Sequence, residues 1–481
     1  MKLRLPCLLL LICFSTALFA QNLVSSTLLG SKTKAQLTTQ FSLPIIQYGV
    51  KYYRVTYATT DVQGMPDTAS GLIVIPDDFT KVYPRLVYQH GTSSSKLDVP
   101  SYNVTQNGEG SIGLLCGGLG YVALLPDYLG LGVSDGFHPY VHAASEASAA
   151  LDLLRALPEF NTQFGSHTSE QLFMTGYSQG GHASMALQRE IETNLAGEFS
   201  VTAAAHNSGP YSISGVMRNL ILSDEVYFYP GYLPNTILSY QTVYGNLFTQ
   251  ITEVFKEPYA SKIEQFFNGS LNLGQLNTQL ISLLTTNEGE SRPFRMLQPA
   301  TVQAVLSDPD HPFNIALRNN DVYAWAPEAP TRIFYCTADD QVPYQNSVVA
   351  LDSLLAYGAV DVAATDVNST ADHGGCVTPA LINTVLFFLG FQQIGTFVST
   401  GDLAVQPLEM QPNPANSTLT LRHLSGEGRV TVTDLGGRLR LESPVAGSDH
   451  KMNVAGLENG MYIVRYFSEG KVWQGKLAVQ R

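Results

Sequence analysis

The sequence predicts an α/β fold: a mostly parallel sheet covered by helices, with an inserted helical segment and a small all-β domain at the C-terminal end. Three observations predict it. From about residue 50 to 390, short β-rich apolar runs alternate with helical stretches, the pattern of a sheet with right-handed crossovers. Residues 211–325 carry no clear strand. Beyond about residue 392 the pattern changes to period 2 divided by glycine turns, as in an antiparallel β-sandwich.

The strands are expected at "SGLIVIP" (70–76), "RLVYQHG" (85–91), "YVALLPD" (121–127), "QLFMTGY" (171–177) and "SVTAAAHNSG" (200–209), with two more at "RIFYCTAD" (332–339) and "VDVAATD" (360–366). Several are nearly continuous apolar runs, which suits strands covered on both faces. "AASEASAALDLLRAL" (143–157) and "GGHASMALQREIET" (180–193) have helical spacing. The segment 211–325 is rich in aromatic and aliphatic residues, for example "VYFYPGYLPNTILSYQTVY" (226–244). It reads either as a helical subdomain packed on the sheet or as a cap over a binding site, and the two readings are compatible. "TLTLRHL", "GRVTVTDLGGRLRLE" and "GMYIVRYFSEGKVWQGKLAVQ" make the C-terminal sandwich. The expected division is therefore 1–20, 21–395 and 405–481, with a linker near 392–408.

At 481 residues the chain is too long for one simple core. Its 44% hydrophobic and 14% charged content is ordinary for a globular protein, and a net charge of −13 argues against a nucleic-acid partner. "MKLRLPCLLLLICFSTALFAQN" has Lys2 and Arg4, an apolar stretch and then small residues, the layout of a secretory signal peptide cleaved after Ala20 or Ala17. Its apolar run is short of the roughly 20 residues of a membrane span. Lipidation at Cys13 is a further alternative, which the bulky Ile12 fits badly. No later stretch is long and apolar enough to span a bilayer. An exported chain would retain Cys116, Cys336 and Cys376, so one disulfide and one free thiol are expected. Neither C-x-x-C nor H-E-x-x-H occurs, and neither a zinc site nor any cofactor is expected.

The chemistry centres on Gly176-Tyr177-Ser178-Gln179-Gly180, a G-x-S-x-G in which an apolar strand enters and a small-residue helix leaves. That context lets the Ser178 hydroxyl stand clear of the sheet at a sharp turn. A serine hydroxyl is a weak nucleophile at neutral pH, so it needs a base, and the base needs an acid to orient it. In this architecture the acid and the base follow in that order. "CTADDQVPYQNS" (336–347) supplies the acid and "TADHGGCVTPALINTVLFFLGF" (370–391) supplies His373, ahead of a terminal helix. Asp339 follows the strand directly and is expected to point into the site, leaving Asp340 to the loop. Asp372, a sequence neighbour of His373, reads as solvated. His90, His138, His142 and His182 do not follow a late strand and read as structural.

A tetrahedral intermediate needs preorganised donors for its oxygen, each worth about 3–4 kcal/mol of barrier. The main-chain N–H of Gln179 is one candidate. The turn "YQHGTSSS" (88–95) offers the second, Thr92, while His90-Gly91 serves either this purpose or only the turn.

Taken together, "YQHGT" (88–92), "GYVALLPDYLGLGVSD" (120–135), "HPYVHAASEASAALDLLRA" (138–156), "GYSQGG" (176–181), "DDQVP" (339–343) and His373 resemble an α/β-hydrolase of the secretory lipase-like and esterase families, over roughly residues 45–390. The resemblance implies Ser178 as nucleophile, Asp339 as acid and His373 as base, with Asp127 and Tyr128 shaping the turn beside the nucleophile. Tyr335-Cys336 departs from the His-Gly pair that many relatives carry. Beside that resemblance, Cys336 before Asp339 and Cys376 after His373 imply two close loops and a Cys336–Cys376 bond. "QPNPANSTLTL" (411–421), "GRVTVTDLGGR" (428–438), "LENGMYIVRY" (457–466) and "GKVWQGKLAV" (470–479) resemble, in order, the pieces of a type IX secretion system C-terminal sorting domain. That likeness implies a Bacteroidetes-type bacterium, passage through the periplasm to the exterior or the cell surface, and the type IX machinery as partner. A carbohydrate- or cell-binding β-module is the competing reading of this tail.

The expected function is hydrolysis of a small-molecule or lipid ester by a secreted serine esterase or lipase. A serine peptidase of the same fold is the alternative and would need a charged cap residue such as Glu253, Glu264 or Arg292 to hold a chain end. A non-catalytic surface binding protein is the third class.

Overall fold

The computed structural model describes residues 22–104, 108–397, 405–424, 426–435, 438–468 and 471–481. The expected signal peptide lies outside them. The chain forms two compact units that part between Thr396 and Phe397.

The first unit is built on one ten-stranded sheet. Its strands are β1 (Leu23–Lys32), β2 (Val50–Thr60), β3 (Pro66–Pro76), β4 (Lys81–Gln89), β5 (Val122–Pro126), β6 (Thr168–Tyr177), β7 (Ala203–Asn207), β8 (Thr331–Tyr335), β9 (Val362–Asp366) and β10 (Gly395–Thr396). The spatial order is β1-β2-β3-β5-β4-β6-β7-β8-β9, with β10 paired to β4. From β5 to β9 all neighbours are parallel. The strands β1, β2 and β3 extend one edge by antiparallel pairing. The α/β class with a mostly parallel sheet is thus as the sequence predicts. The antiparallel β1–β2 extension was not expected, and β10 lies inside the stretch read as linker.

The central strands are apolar on both faces because both faces are covered. In β3, Ile73 and Ile75 face one core while Leu72 and Val74 face the other. In β5, Val122 and Leu124 alternate with Ala123 and Leu125 in the same way. Helices Ala143–Phe164 and Gln179–Asn194 cover the first face, and Gly110–Gly118 and His373–Leu389 cover the second. Each of these Val, Leu and Ile side chains, taken fully out of water, contributes roughly 1.5–3 kcal/mol.

Between β7 and β8 the chain leaves the sheet and forms six α-helices, Arg218–Leu222, Tyr232–Tyr244, Tyr259–Phe267, Leu273–Glu288, Pro299–Ser307 and Pro312–Asn319. They enclose a core of their own, including Leu238, Phe255, Ile263, Leu276, Leu280 and Phe313.

The second unit has a five-stranded sheet, β11 (Val405–Pro407), β18 (Lys471–Val479), β17 (Gly460–Ser468), β14 (Gly428–Asp434) and β15 (Leu439–Val445), and a three-stranded one, β12 (Glu409–Gln411), β13 (Thr418–Arg422) and β16 (His450–Asn453). Alternate residues such as Val430, Val432, Val464 and Tyr466 join Leu419 and Leu421 in one buried core, the arrangement of a small sandwich. Its strands pair antiparallel, apart from β11 on β18 and a parallel bridge from Ala415 to Val479.

Candidate active site

Ser178 stands between the end of β6 and helix Gln179–Asn194. Its φ of 60° and ψ of −122° lie where a side-chain-bearing residue is strained, at a cost of order 1–3 kcal/mol. The turn is possible because its flanks are glycines: a Cβ on Gly176 would overlap the Gly180 carbonyl, and one on Gly180 would overlap that of Gln89. The Ser178 N–H donates to the Asn207 carbonyl at 3.0 Å, tying the turn to β7. The residue is almost buried, 8% exposed.

Asp339 follows β8, and His373 opens the helix after β9. The His373 Nδ1 lies 2.7 Å from Asp339 Oδ2. The other carboxylate oxygen accepts the Gln341 and Val342 N–H groups at 2.9 and 2.8 Å, so the carboxylate is held on both sides. Asp340 does not simply face the loop: it accepts the His373 N–H at 3.1 Å. Asp372 is exposed as expected, and it also caps the helix by accepting the Gly375 N–H at 2.7 Å. Cys336 and Cys376 are joined, with Cα atoms 5.9 Å apart, and Cys116 is a buried free thiol. The Tyr177 hydroxyl donates to the His373 carbonyl at 2.7 Å, linking the histidine to the residue before the serine. Among the described residues, the Ser178 hydroxyl makes no hydrogen bond to the His373 ring.

The main-chain N–H groups of Thr92 and Gln179 have no protein acceptor among the described residues. That of Gly91 is taken by Glu109 Oε1 at 3.2 Å, while Glu109 Oε2 accepts the Tyr88 hydroxyl at 2.6 Å. Burial raises the Glu109 pKa, and these two hydrogen bonds pull it part of the way back. The Thr92 hydroxyl meets that of Tyr140 at 3.0 Å. Asp127 is fully buried and collects the Ser70 and Ser101 hydroxyls and the Ser101 N–H. Tyr128, with a φ of 71°, donates its hydroxyl to the His90 carbonyl at 3.0 Å. Tyr128 therefore braces the turn at 88–92, whereas the Asp127 carboxylate ties Ser70 to Ser101 and only its main-chain carbonyl meets the turn, 3.3 Å from His90 Nε2. Burial lowers His90, His138 and His142 to about 4, so these rings are neutral and structural.

Two further groups escaped the sequence reading. Glu109 is one. Glu146 is the other, a carboxylate only 1% exposed that lies 2.7 Å from His182 Nδ1 and 2.9 Å from Gln179 Nε2. The signal for it was present: Glu146 shares the buried stripe of Ala150, Leu153 and Leu157 on its helix.

A cavity of about 140 Å³ opens beside Ser178, Tyr140 and Val342 and runs into the helical insertion. Met217, Ile221, Leu233, Ile237, Val305 and Leu317 are among its walls. Arg218 also reaches it and donates to the Val305 carbonyl at 3.3 Å. Glu253, Glu264 and Arg292 do not line it. Among the described residues, no group of three or more His, Cys, Asp or Glu could hold a metal ion, and no helix is long and apolar enough to cross a membrane.

Residues 112–378 match the model of the secretory lipase family. The chain belongs to this family. The secretory lipase fold recurs in the rice cell wall degrading esterase LipA from Xanthomonas oryzae, 30% identical, with a TM-score of 0.66 over 77% of this chain and 97% of that one. Lipase A of Candida antarctica, in its closed state, shares the fold at 16% identity, with a TM-score of 0.57 over 78% of this chain and 83% of that one. Residues 409–480 match the secretion system C-terminal sorting domain. This secretory lipase is accordingly a secreted or cell-surface hydrolase that carries a type IX sorting domain. No curated protein matches the chain significantly.

Proposed function

We propose that the protein is a serine carboxylesterase or lipase acting through an acyl-enzyme on Ser178. His373 takes the Ser178 proton as the hydroxyl oxygen attacks the ester carbonyl. The resulting oxyanion is met by the N–H groups of Gln179 and Thr92. The intermediate collapses, and the alkoxide leaves with the proton held by His373. Water, deprotonated by the same ring, then attacks the acyl-enzyme, and Ser178 recovers its proton as the acid departs. Asp339 keeps a hydrogen on Nδ1, so that Nε2 is free to accept.

The observation that carries this reading is the 2.7 Å bond between His373 and a doubly anchored Asp339, beside a serine at a strained turn. Nucleophile–base contacts are often loose without substrate and tighten when it binds. The apolar walls of the cavity support an acyl or alcohol chain as its occupant, and the helical insertion is then a cap. A terminus-holding peptidase is less well supported, because none of Glu253, Glu264 and Arg292 faces the cavity.

The test is labelling with a fluorophosphonate together with turnover of p-nitrophenyl esters against aminoacyl-p-nitroanilides. Wild type should label and cleave the esters, and Ser178→Ala should do neither while remaining folded. Persistent labelling of Ser178→Ala would identify another nucleophile. We assign 405–481 to the type IX machinery, so its deletion should hold active enzyme in the periplasm.

A further inference from the structure

We propose that Glu146 is a positioning residue for ester hydrolysis: through the Gln179 side chain it fixes the main-chain N–H that follows the nucleophile. This rests on the esterase reading above and adds how one oxyanion donor is held.

Glu146 lies in helix Ala143–Phe164, and Gln179 and His182 lie in the helix that Ser178 opens; all three are at most 1% exposed. A buried carboxylate is costly unless its oxygens are hydrogen-bonded. Both are. Oε1 accepts from Gln179 Nε2 at 2.9 Å, and Oε2 lies 2.7 Å from His182 Nδ1. His182 Nε2 faces the Asn320 carbonyl at 2.8 Å and so carries a hydrogen, and one further hydrogen is shared between Glu146 Oε2 and His182 Nδ1.

The second hydrogen of Gln179 Nε2 is directed at His138 Nε2, 2.9 Å away. His138 Nδ1 faces the Leu129 carbonyl at 2.8 Å, so it carries the ring hydrogen and leaves Nε2 as the acceptor. Both hydrogens of one amide nitrogen are therefore aimed at buried, fixed acceptors, which sets the amide plane. The His138 ring stacks on Tyr128, and Tyr128 stacks on His90. The restraint thus continues to the turn that presents Thr92.

The placement matters because Gln179 carries the donor itself. Its N–H is free of protein acceptors among the described residues, while its side chain is clamped. A group needed only to fill space there would require no hydrogen-bonding partners. Glu146 does not line the cavity, so its effect passes through Gln179.

The experiment compares wild type, Glu146→Ala and Glu146→Gln on p-nitrophenyl butyrate, with a trifluoromethyl ketone as transition-state mimic and a fluorescent fatty acid as probe of the cavity. Loss of an oxyanion donor costs about 10²–10³ in kcat. Glu146→Ala should lose about 10²-fold in kcat with KM within about threefold, and ketone affinity should fall in parallel while fatty-acid affinity holds. Glu146→Gln still accepts from Gln179 and can donate to a neutral His182, so it should recover most of the loss. Should Glu146→Ala not fold, Gln179→Ala keeps the N–H, removes the clamp and should show the same pattern.

Wild-type kcat in Glu146→Ala would overturn the proposal. So would a loss of kcat with unchanged ketone affinity, or a loss of fatty-acid affinity alongside it, which marks a collapsed cap. A wild-type protein inert toward both the ester and a fluorophosphonate would instead overturn the esterase reading, and this proposal with it.

Discussion

Replacing Asp339 by asparagine tests the proposed mechanism most sharply, because the local hydrogen bonds dictate how the new amide must turn. Asp339 Oδ1 receives two main-chain N–H groups, from Gln341 and Val342. In Asp339→Asn the amide oxygen must take that position, since an NH2 there would face two donors. The NH2 then points at His373 Nδ1, which becomes an acceptor and loses its hydrogen to Nε2. A ring in that tautomer cannot take a proton from Ser178. The expected loss is about 10⁴ in kcat, as for the same change in a serine-protease triad. That corresponds to about 5.5 kcal/mol of barrier. Asp340→Asn keeps an oxygen for the His373 N–H and should cost less than about tenfold. The assay is kcat and KM on a soluble p-nitrophenyl ester, with circular dichroism to establish folding. Asp339→Asn within tenfold of wild type, or Asp340→Asn as the more damaging change, would refute the reasoning.

Acid stability should depend on His206, whose Nδ1 faces the Ser184 hydroxyl and whose Nε2 faces Gln188 Oε1. Burial lowers its pKa from the usual 6.5 to about 3. The unfolded chain therefore binds the extra proton first, and stability falls as pH drops from about 6.5 toward 3, by about 2 kcal/mol at pH 5. His206→Gln should flatten the pH dependence of urea unfolding by that amount, and parallel curves would contradict it. The Cys336–Cys376 bond closes a sequence separation of 40, worth about 3–4 kcal/mol in the chain-entropy account. Replacing both by serine should lower the melting temperature and reduce turnover together; unchanged turnover would mean the bond does not steady the acid and base. Ile237→Trp narrows the cavity, and excluding about four methylenes at about 0.8 kcal/mol each should cost about 10²-fold on decanoate esters while sparing acetate. Equal loss on both esters would place the chain elsewhere.

The central sheet is legible in the sequence because strands covered on both faces are continuously apolar, as "VALLP" and "LIVI" are. The edge formed by β1 and β2 is less so. β1 is largely exposed, and its place depends on pairing with a strand about 25 residues later, which no local pattern encodes. Ser178 and His373 are readable from their positions after strands. The choice of Asp339 over Asp340 agrees with the hydrogen bond to His373, whereas the grip of Asp340 on the His373 N–H requires the loops to be folded first. Glu146 was missed although it falls on the apolar stripe of its helix. In an alanine-rich helix a glutamate ordinarily marks the wet face, and its partners lie 33 and 36 residues away.

The covalent link between Cys336 and Cys376 brackets Asp339 and His373. Such a bond closes in an oxidising compartment and stays open in a reducing cytoplasm. If opening it lowers turnover as expected above, the newly made polypeptide travels past the lipids of its own cell with a slack acid–base pair. It would reach full strength only after export, so one pair of sulfur atoms would time the enzyme's potency as well as steady its shape.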